Sequence, residues 1–177
     1  MAEPITLLIN RTDITPYAQV ALHSRDEAML QPHILAAQNV DVKPALGEVL
    51  YTDMVANSLQ EKYRLLLDGG SYTNDNSEVI TFQGLKAALA CFTYARYMLS
   101  KNAVDTPFGM VSKTNEYSVQ TDTKLLLSIA SDKRSEGSAY LNECLNYIRL
   151  KENLFPLFVR GGSAIKSIHK LNSASRI

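Results

Sequence analysis

The chain has 177 residues, enough for one domain with its own core plus an arm or a tail. Hydrophobic residues make up 46% and charged residues 20%, an ordinary globular balance. No apolar run approaches the roughly 20 residues of a membrane-spanning helix. The 18 basic and 18 acidic residues cancel, but unevenly: residues 160–177 hold four basic residues and no acid, leaving 14 basic against 18 acidic in the remainder, a balance of −4. A mildly acidic body with a basic tail points to a separate partner for the tail, or to a solvated terminus.

The opening MAEPITLLIN carries an acid where a signal peptide carries basic residues, so no export signal is expected. Residues 5–9 (ITLLI) suit an edge strand or a packed extended segment, and 13–16 read as a turn ending at Pro16. Ser24 followed by Glu27 fits a capping box for a helix through Met29, Leu30, Ile34 and Ala37. Pro32 either kinks that helix or sits in its first turn, moving the start to about Gln31. From Pro44, the apolar residues Leu46, Val49, Leu50, Met54, Leu59, Tyr63 and Leu66 keep helical spacing almost to Asp68, where Gly69 and Gly70 stop them. Residues 71–77 (SYTNDNS) read as a polar loop.

The segment 81–101 is the expected central helix. Phe82, Leu85, Leu89, Phe92 and Leu99 mark a wide apolar stripe, Ala87, Ala88 and Ala90 allow close neighbours, and Thr81 is the N-cap. Tyr94, Arg96, Tyr97 and Lys101 give its far face an aromatic and basic surface. Residues 103–121 differ in kind: Pro107 and Gly109 sit among β-branched, aromatic and polar residues, an extended arm or loose hairpin. An excursion of that length inside a helical domain is more often an interface than a connector. Its candidate contact residues are Pro107, Phe108, Met110, Val111, Tyr117 and Val119. Thr121 caps either one last helix to about Asn153, striped by Leu125, Ile129, Tyr140, Leu141, Cys144, Leu145 and Ile148, or two helices joined near Gly137. Phe155, Leu157 and Phe158 close the domain, and Gly161 and Gly162 form a hinge. In the tail, Ile165, Ile168 and Leu171 recur every three residues between Lys166, His169 and Lys170, flanked by Arg160 and Arg176, a pattern suited to a short helix formed on docking. The fold class is mostly α: a four- to five-helix bundle over 1–158 with an extended β-like interior arm, followed by a basic tail over 159–177.

Chemistry is sparse. Gly69-Gly70 and Gly161-Gly162 lack a phosphate-loop pattern, and His23, His33 and His169 are too dispersed for a shared metal. Cys91 and Cys144 have no ligand spacing and read as buried free thiols. Asp13, Asp26, Glu27, Asp41, Glu48 and Asp53 read as solvated or capping carboxylates. No enzyme activity, cofactor or metal is expected.

The order of pieces resembles the head–tail connector, or adaptor, proteins of tailed bacteriophages, and more narrowly the ring proteins in phages of gut Bacteroidetes. The likeness rests on HILAAQNVDVKPALGEVLYTDMV (33–55), FQGLKAALACFTYARYML (82–99), TPFGMVSK (106–113) and YIRLKENLFPLF (147–158). The resemblance implies a helical domain that assembles as a homo-oligomeric ring, commonly dodecameric, around the DNA channel between portal and tail. It implies localisation at the neck of the virion after synthesis in the host cytoplasm. The expected partners are other copies of the chain, the portal protein, other neck or tail proteins and, passively, the DNA in the channel, with no membrane. Residues 106–121 then map to an inter-subunit arm, and 159–177 to a portal-docking tail. A second reading is a soluble helical binding module or scaffold whose basic tail orders on a partner. A third, an enzyme, lacks any convergent set of polar residues.

Overall fold

Apolar residues at helical spacing make the chain mostly α-helical. A computed structural model describes residues 6–20, 25–100, 103–106, 109–112 and 122–159, with backbone alone at 25–27, 103–106 and 109–112. In chain order come α1 (Arg11–Ile14), α2 (Arg25–Ala36), a π-helical segment (Ala37–Val42), α3 (Lys43–Leu46), α4 (Glu48–Ala56) and α5 (Glu61–Asp68). There follow β1 (Gly70–Thr73), β2 (Val79–Phe82), α6 (Gly84–Ser100), β3 (Ala103–Thr106), β4 (Gly109–Ser112) and α7 (Thr123–Leu150). The strands form two separate antiparallel hairpins, β1–β2 and β3–β4.

α6 is the central helix. Leu85, Ala87, Ala88, Leu89, Ala90, Cys91 and Ala95 are completely buried, and α1, α2, the π segment, α5 and α7 all pack on it. Its longest contact is with α7, which runs unbroken for 28 residues, about 42 Å at 1.5 Å per residue. Gly137 does not divide α7; it brings the two backbones together. A Cβ at Gly137 would lie 3.0 Å from the Phe92 ring and 3.2 Å from the Ala88 carbonyl. The alanines of α6 supply the matching shallow groove, so the small residues of both helices share one seam.

Several expected boundaries move. The periodic stretch 44–68 is three helices. Gly47, at φ +84°, turns the chain between α3 and α4, and Asn57 ends α4 with its side-chain amide donating to Asp53 O (3.1 Å) and Oδ1 (2.8 Å). The expected polar loop at 71–77 supplies β1 and a turn. Asn74 closes that turn by donating to the Glu78 carbonyl (2.9 Å) and to its carboxylate (2.7 Å). Thr81 therefore lies in β2 and is not an N-cap, and α6 begins at Gly84. Gly69 and Gly84 cinch the hairpin base: a Cβ at Gly84 would stand 2.3 Å from Gly69 N, and both have φ near +80°. Of the two readings of Pro32, the first-turn one fails, since α2 already runs from Arg25 and carries Pro32 inside it. Residues 13–14 end α1, held by an Asn10–Asp13 capping box, so the expected turn shifts from 13–16 to 15–17. Residues 6–9 are the packed extended segment of the two alternatives, with Leu8 and Ile9 buried. Asp122, one residue after the expected Thr121, caps α7 by accepting from Lys124 N–H.

Rings close the end of the bundle beyond β1–β2. Phe82 stacks on Tyr147 (centroids 4.9 Å apart), Tyr72 tilts against both, and Phe155 bridges Tyr147 to Tyr63. Geometries of this kind add to simple burial. The core thus runs from Leu8 to Phe155, with Phe158 packed against it.

Gly137→Leu forces a branched side chain into the α6–α7 seam. Urea unfolding should show a loss of about 1–3 kcal/mol, the usual cost of overpacking. A variant as stable as the parent would contradict the seam.

Candidate functional site

The most densely tied backbone irregularity is the π-helical segment, Ala37–Val42. Its wider turns re-aim side chains, a common device where a helix must make specific polar contacts. Gln38 is 2% exposed and uses both ends of its amide: Oε1 accepts from Leu8 N–H (2.8 Å), and Nε2 donates to Thr6 O (3.2 Å) and the Tyr51 hydroxyl (3.1 Å). Asp41, on the same segment, accepts a fork from Arg96 of α6, Nε at 3.0 Å and Nη2 at 2.9 Å. Bidentate pairs of this geometry fix orientation as well as adding energy. The segment therefore clamps the N-terminal extended stretch on one side and α6 on the other. A groove of about 470 Å³, lined by Thr6, Leu35, Asn39, Tyr51 and Val55, opens beside it.

This pairing corrects two sequence expectations. Asp41 is held in an ion pair, and Asp53 accepts from the Tyr63 hydroxyl and from Asn57. Burial, then the Asp53 hydrogen bond and charge, push the Tyr63 hydroxyl well above its ordinary value. The expected aromatic and basic face of α6 is not a free surface either. Tyr97 is 2% exposed, Arg96 is engaged by Asp41, and Tyr94 is half-buried against the core. Periodicity could not show this, because the face is covered by α2 and the π segment, which are distant in sequence.

At the C-terminal end of α6, Ser100 Oγ and His33 Nε2 lie 3.0 Å apart, and the His33 ring packs edge-on to Tyr97. This contact joins α2 to the root of β3–β4. In that hairpin Ala103 faces Ser112, Val104 faces Val111, Asp105 faces Met110 and Thr106 faces Gly109. Beyond that pairing, neither strand makes an extensive contact with another described element. Met110 and Val111 lie on β4; Pro107, Phe108, Tyr117 and Val119 fall outside the described residues. So do the tail residues Arg160, Ile165, Lys166, Ile168, His169, Lys170, Leu171 and Arg176. The tail is rooted at Val159, 72% exposed, on the rim of a groove of about 440 Å³ that Pro44, Leu46, Gly47, Val49 and Leu157 also line. Sequence reading missed this groove, since Gly47 gave no sign of turning the chain outward there.

Cys91 and Cys144 are buried free thiols, pushed up to about 11 and about 12 chiefly by desolvation, which makes both poor nucleophiles. Among the described residues, no group of three or more His, Cys, Asp or Glu side chains is arranged to hold a metal ion, and no helix is long and apolar enough to cross a membrane.

Residues 42–167 match a family described as a family of unknown function, DUF6712. The chain belongs to the DUF6712 family. The match runs from the end of the π segment through both hairpins and α7 into the tail, so it takes in the candidate arm. No curated protein and no solved structure matches the chain.

His33 offers a pH test of the α2–α6 contact. Burial, and then the Arg96 charge, hold its imidazole below the ordinary 6.5. The folded state thus binds the proton less readily than the unfolded chain. The stability tied to neutral His33 is present above about 6.5 and is lost as pH falls below it. The melting temperature of the parent should fall more steeply than that of His33→Gln between about pH 7 and 5. Identical slopes would contradict the assignment.

Proposed function

We propose that this chain is a structural ring component of a phage neck, joining portal to tail around the DNA channel, with β3–β4 as its inter-subunit arm. The observation that carries the reading is the placement of that hairpin. It leaves the body between α6 and α7, the two longest helices, and packs extensively on no other described element. A two-stranded hairpin alone in water is marginal at best and needs a further surface. A neighbouring copy supplies that surface, and a head-to-tail contact repeated around a closed ring is satisfied at every subunit.

The charge distribution fits the same role. The −4 balance of residues 1–159 lets DNA pass without being gripped, while the four basic residues of 160–177 suit an acidic site on the portal. In this reading the protein resides at the neck of the virion, with other neck or tail proteins as further neighbours. It needs no catalytic residue, cofactor or metal.

The test is co-purification with the portal protein of the same genome, followed by mass measurement. The full chain should join the portal in a symmetric multimer many times its own 19.6 kDa. A variant with residues 104–111 replaced by a short Gly-Ser link should keep its helical circular dichroism and lose at least about tenfold in ring yield, as expected when a repeated contact is removed. A full chain that stays monomeric beside the portal would contradict the reading and leave the helical binding module in its place. Equal assembly of the shortened variant would contradict the role of the arm.

A further inference from the structure

Among the described residues, the β1–β2 hairpin has one free edge, and its orientation follows from the register. Asn74 N–H donates to the Glu78 carbonyl (2.9 Å), so the ladder bonds fall on the pairs Tyr72–Ile80 and Gly70–Phe82. The backbone groups of Ser71, Thr73, Val79 and Thr81 therefore point outward. On the β1 side, Thr73 O accepts from Lys151 Nζ of the α7 C-cap (3.1 Å), which partly closes that edge. On the β2 side, no described backbone group pairs with Val79 or Thr81, and Val79 is 73% exposed. A groove of about 450 Å³, lined by Ile80, Phe82, Leu150, Glu143 and Arg149, runs alongside β2. An open edge beside an apolar groove is the arrangement by which an added strand gains both backbone hydrogen bonds and side-chain pockets.

We infer that this edge takes β4 of the hairpin from a second copy of the chain, giving an inter-subunit sheet of four strands. The inference rests on the ring reading and names the surface that receives the arm. Both hairpins have strands of four residues, and each is a two-stranded sheet with no third strand among the described residues. Their charges are complementary. Residues 70–82 contain Asp75 and Glu78 and no basic residue, whereas residues 101–113 are bracketed by Lys101 and Lys113 with Asp105 alone between them. Asp105 lies on β3, so β4, uncharged across Gly109–Ser112, is the strand that adds to β2. A chain cannot donate to and receive from the same partner all round a ring, so each copy gives its hairpin to one neighbour and takes one from the other.

Two full-length versions with different tags test this, one carrying Val79→Cys and the other Val111→Cys, mixed with the portal protein and treated with a short bis-maleimide. Neither version can link 79 to 111 within itself, and the native thiols, both buried, stay unreactive. The expected product is a covalent species at twice 19.6 kDa that carries both tags. In a separate assembly with the portal protein, a chain carrying Val79→Pro in every copy should fail to assemble through that edge. The substitution leaves the β1–β2 ladder intact, because the Val79 amide points away from it. Ring assembly without the doubly tagged product, and with Val79→Pro rings forming normally, would overturn the edge pairing and leave the ring reading standing. If the portal recruits nothing, the ring reading fails, and the same cross-link at high protein concentration decides the pairing alone: a doubly tagged product supports it, and none overturns it.

Discussion

Gly137 presses the backbone of α7 against the Phe92 ring and the Ala88 carbonyl of α6, and the other elements are arranged around that contact. The close approach leaves α6 surrounded, so its alanines and Cys91 are completely buried. It sets the separation of the two helices between which β3–β4 leaves the body. It also brings Tyr147 of α7 over Phe82, which fixes the β1–β2 hairpin against the end of the bundle. A wider spacing of α6 and α7 would loosen both hairpin roots together.

Polar contacts then select one packing from those an apolar core alone would allow. Gln38 satisfies its amide against the 6–9 stretch and Tyr51, and Asp41 forks onto Arg96, all from one π-helical segment. Each is costly to leave half-made, since an unpaired buried donor or acceptor loses its hydration for nothing. Their value lies in register: they tie the N-terminal stretch, α4 and α6 to the same turn of backbone. The His33–Ser100 contact performs the same task about one turn further along α6, next to the arm.

The mostly helical fold was legible because Leu85, Leu89, Phe92 and their neighbours repeat at helical spacing, as do Leu141, Cys144, Leu145 and Ile148. What the sequence hid were places where one residue overrides a periodic pattern. Gly47 breaks a run that stays apolar at the right intervals, and Gly137 looks like a helix break although it is a contact. Asn74 and Glu78 make a tight turn from residues whose composition says only that they are polar. The covered face of α6 was illegible for a different reason: Tyr97 is buried and Arg96 is engaged by Asp41 of the π segment, and no local pattern encodes which distant element arrives. Of the candidate arm, the hairpin form was legible from Pro107, Gly109 and the β-branched residues around them, and its register was not.

In the proposed ring, a helical body locked at the α6–α7 seam stands behind an arm whose stability comes from a neighbour. Backbone hydrogen exchange of the full chain, alone and in the portal-bound assembly, tests that division most directly. The amides of residues 103–112 should exchange rapidly in the isolated chain and become strongly protected in the assembly, while those of α6 and α7 are protected in both. Protection of 103–112 in the isolated monomer equal to that of α6 would show that the hairpin is anchored to its own body, and would contradict the account.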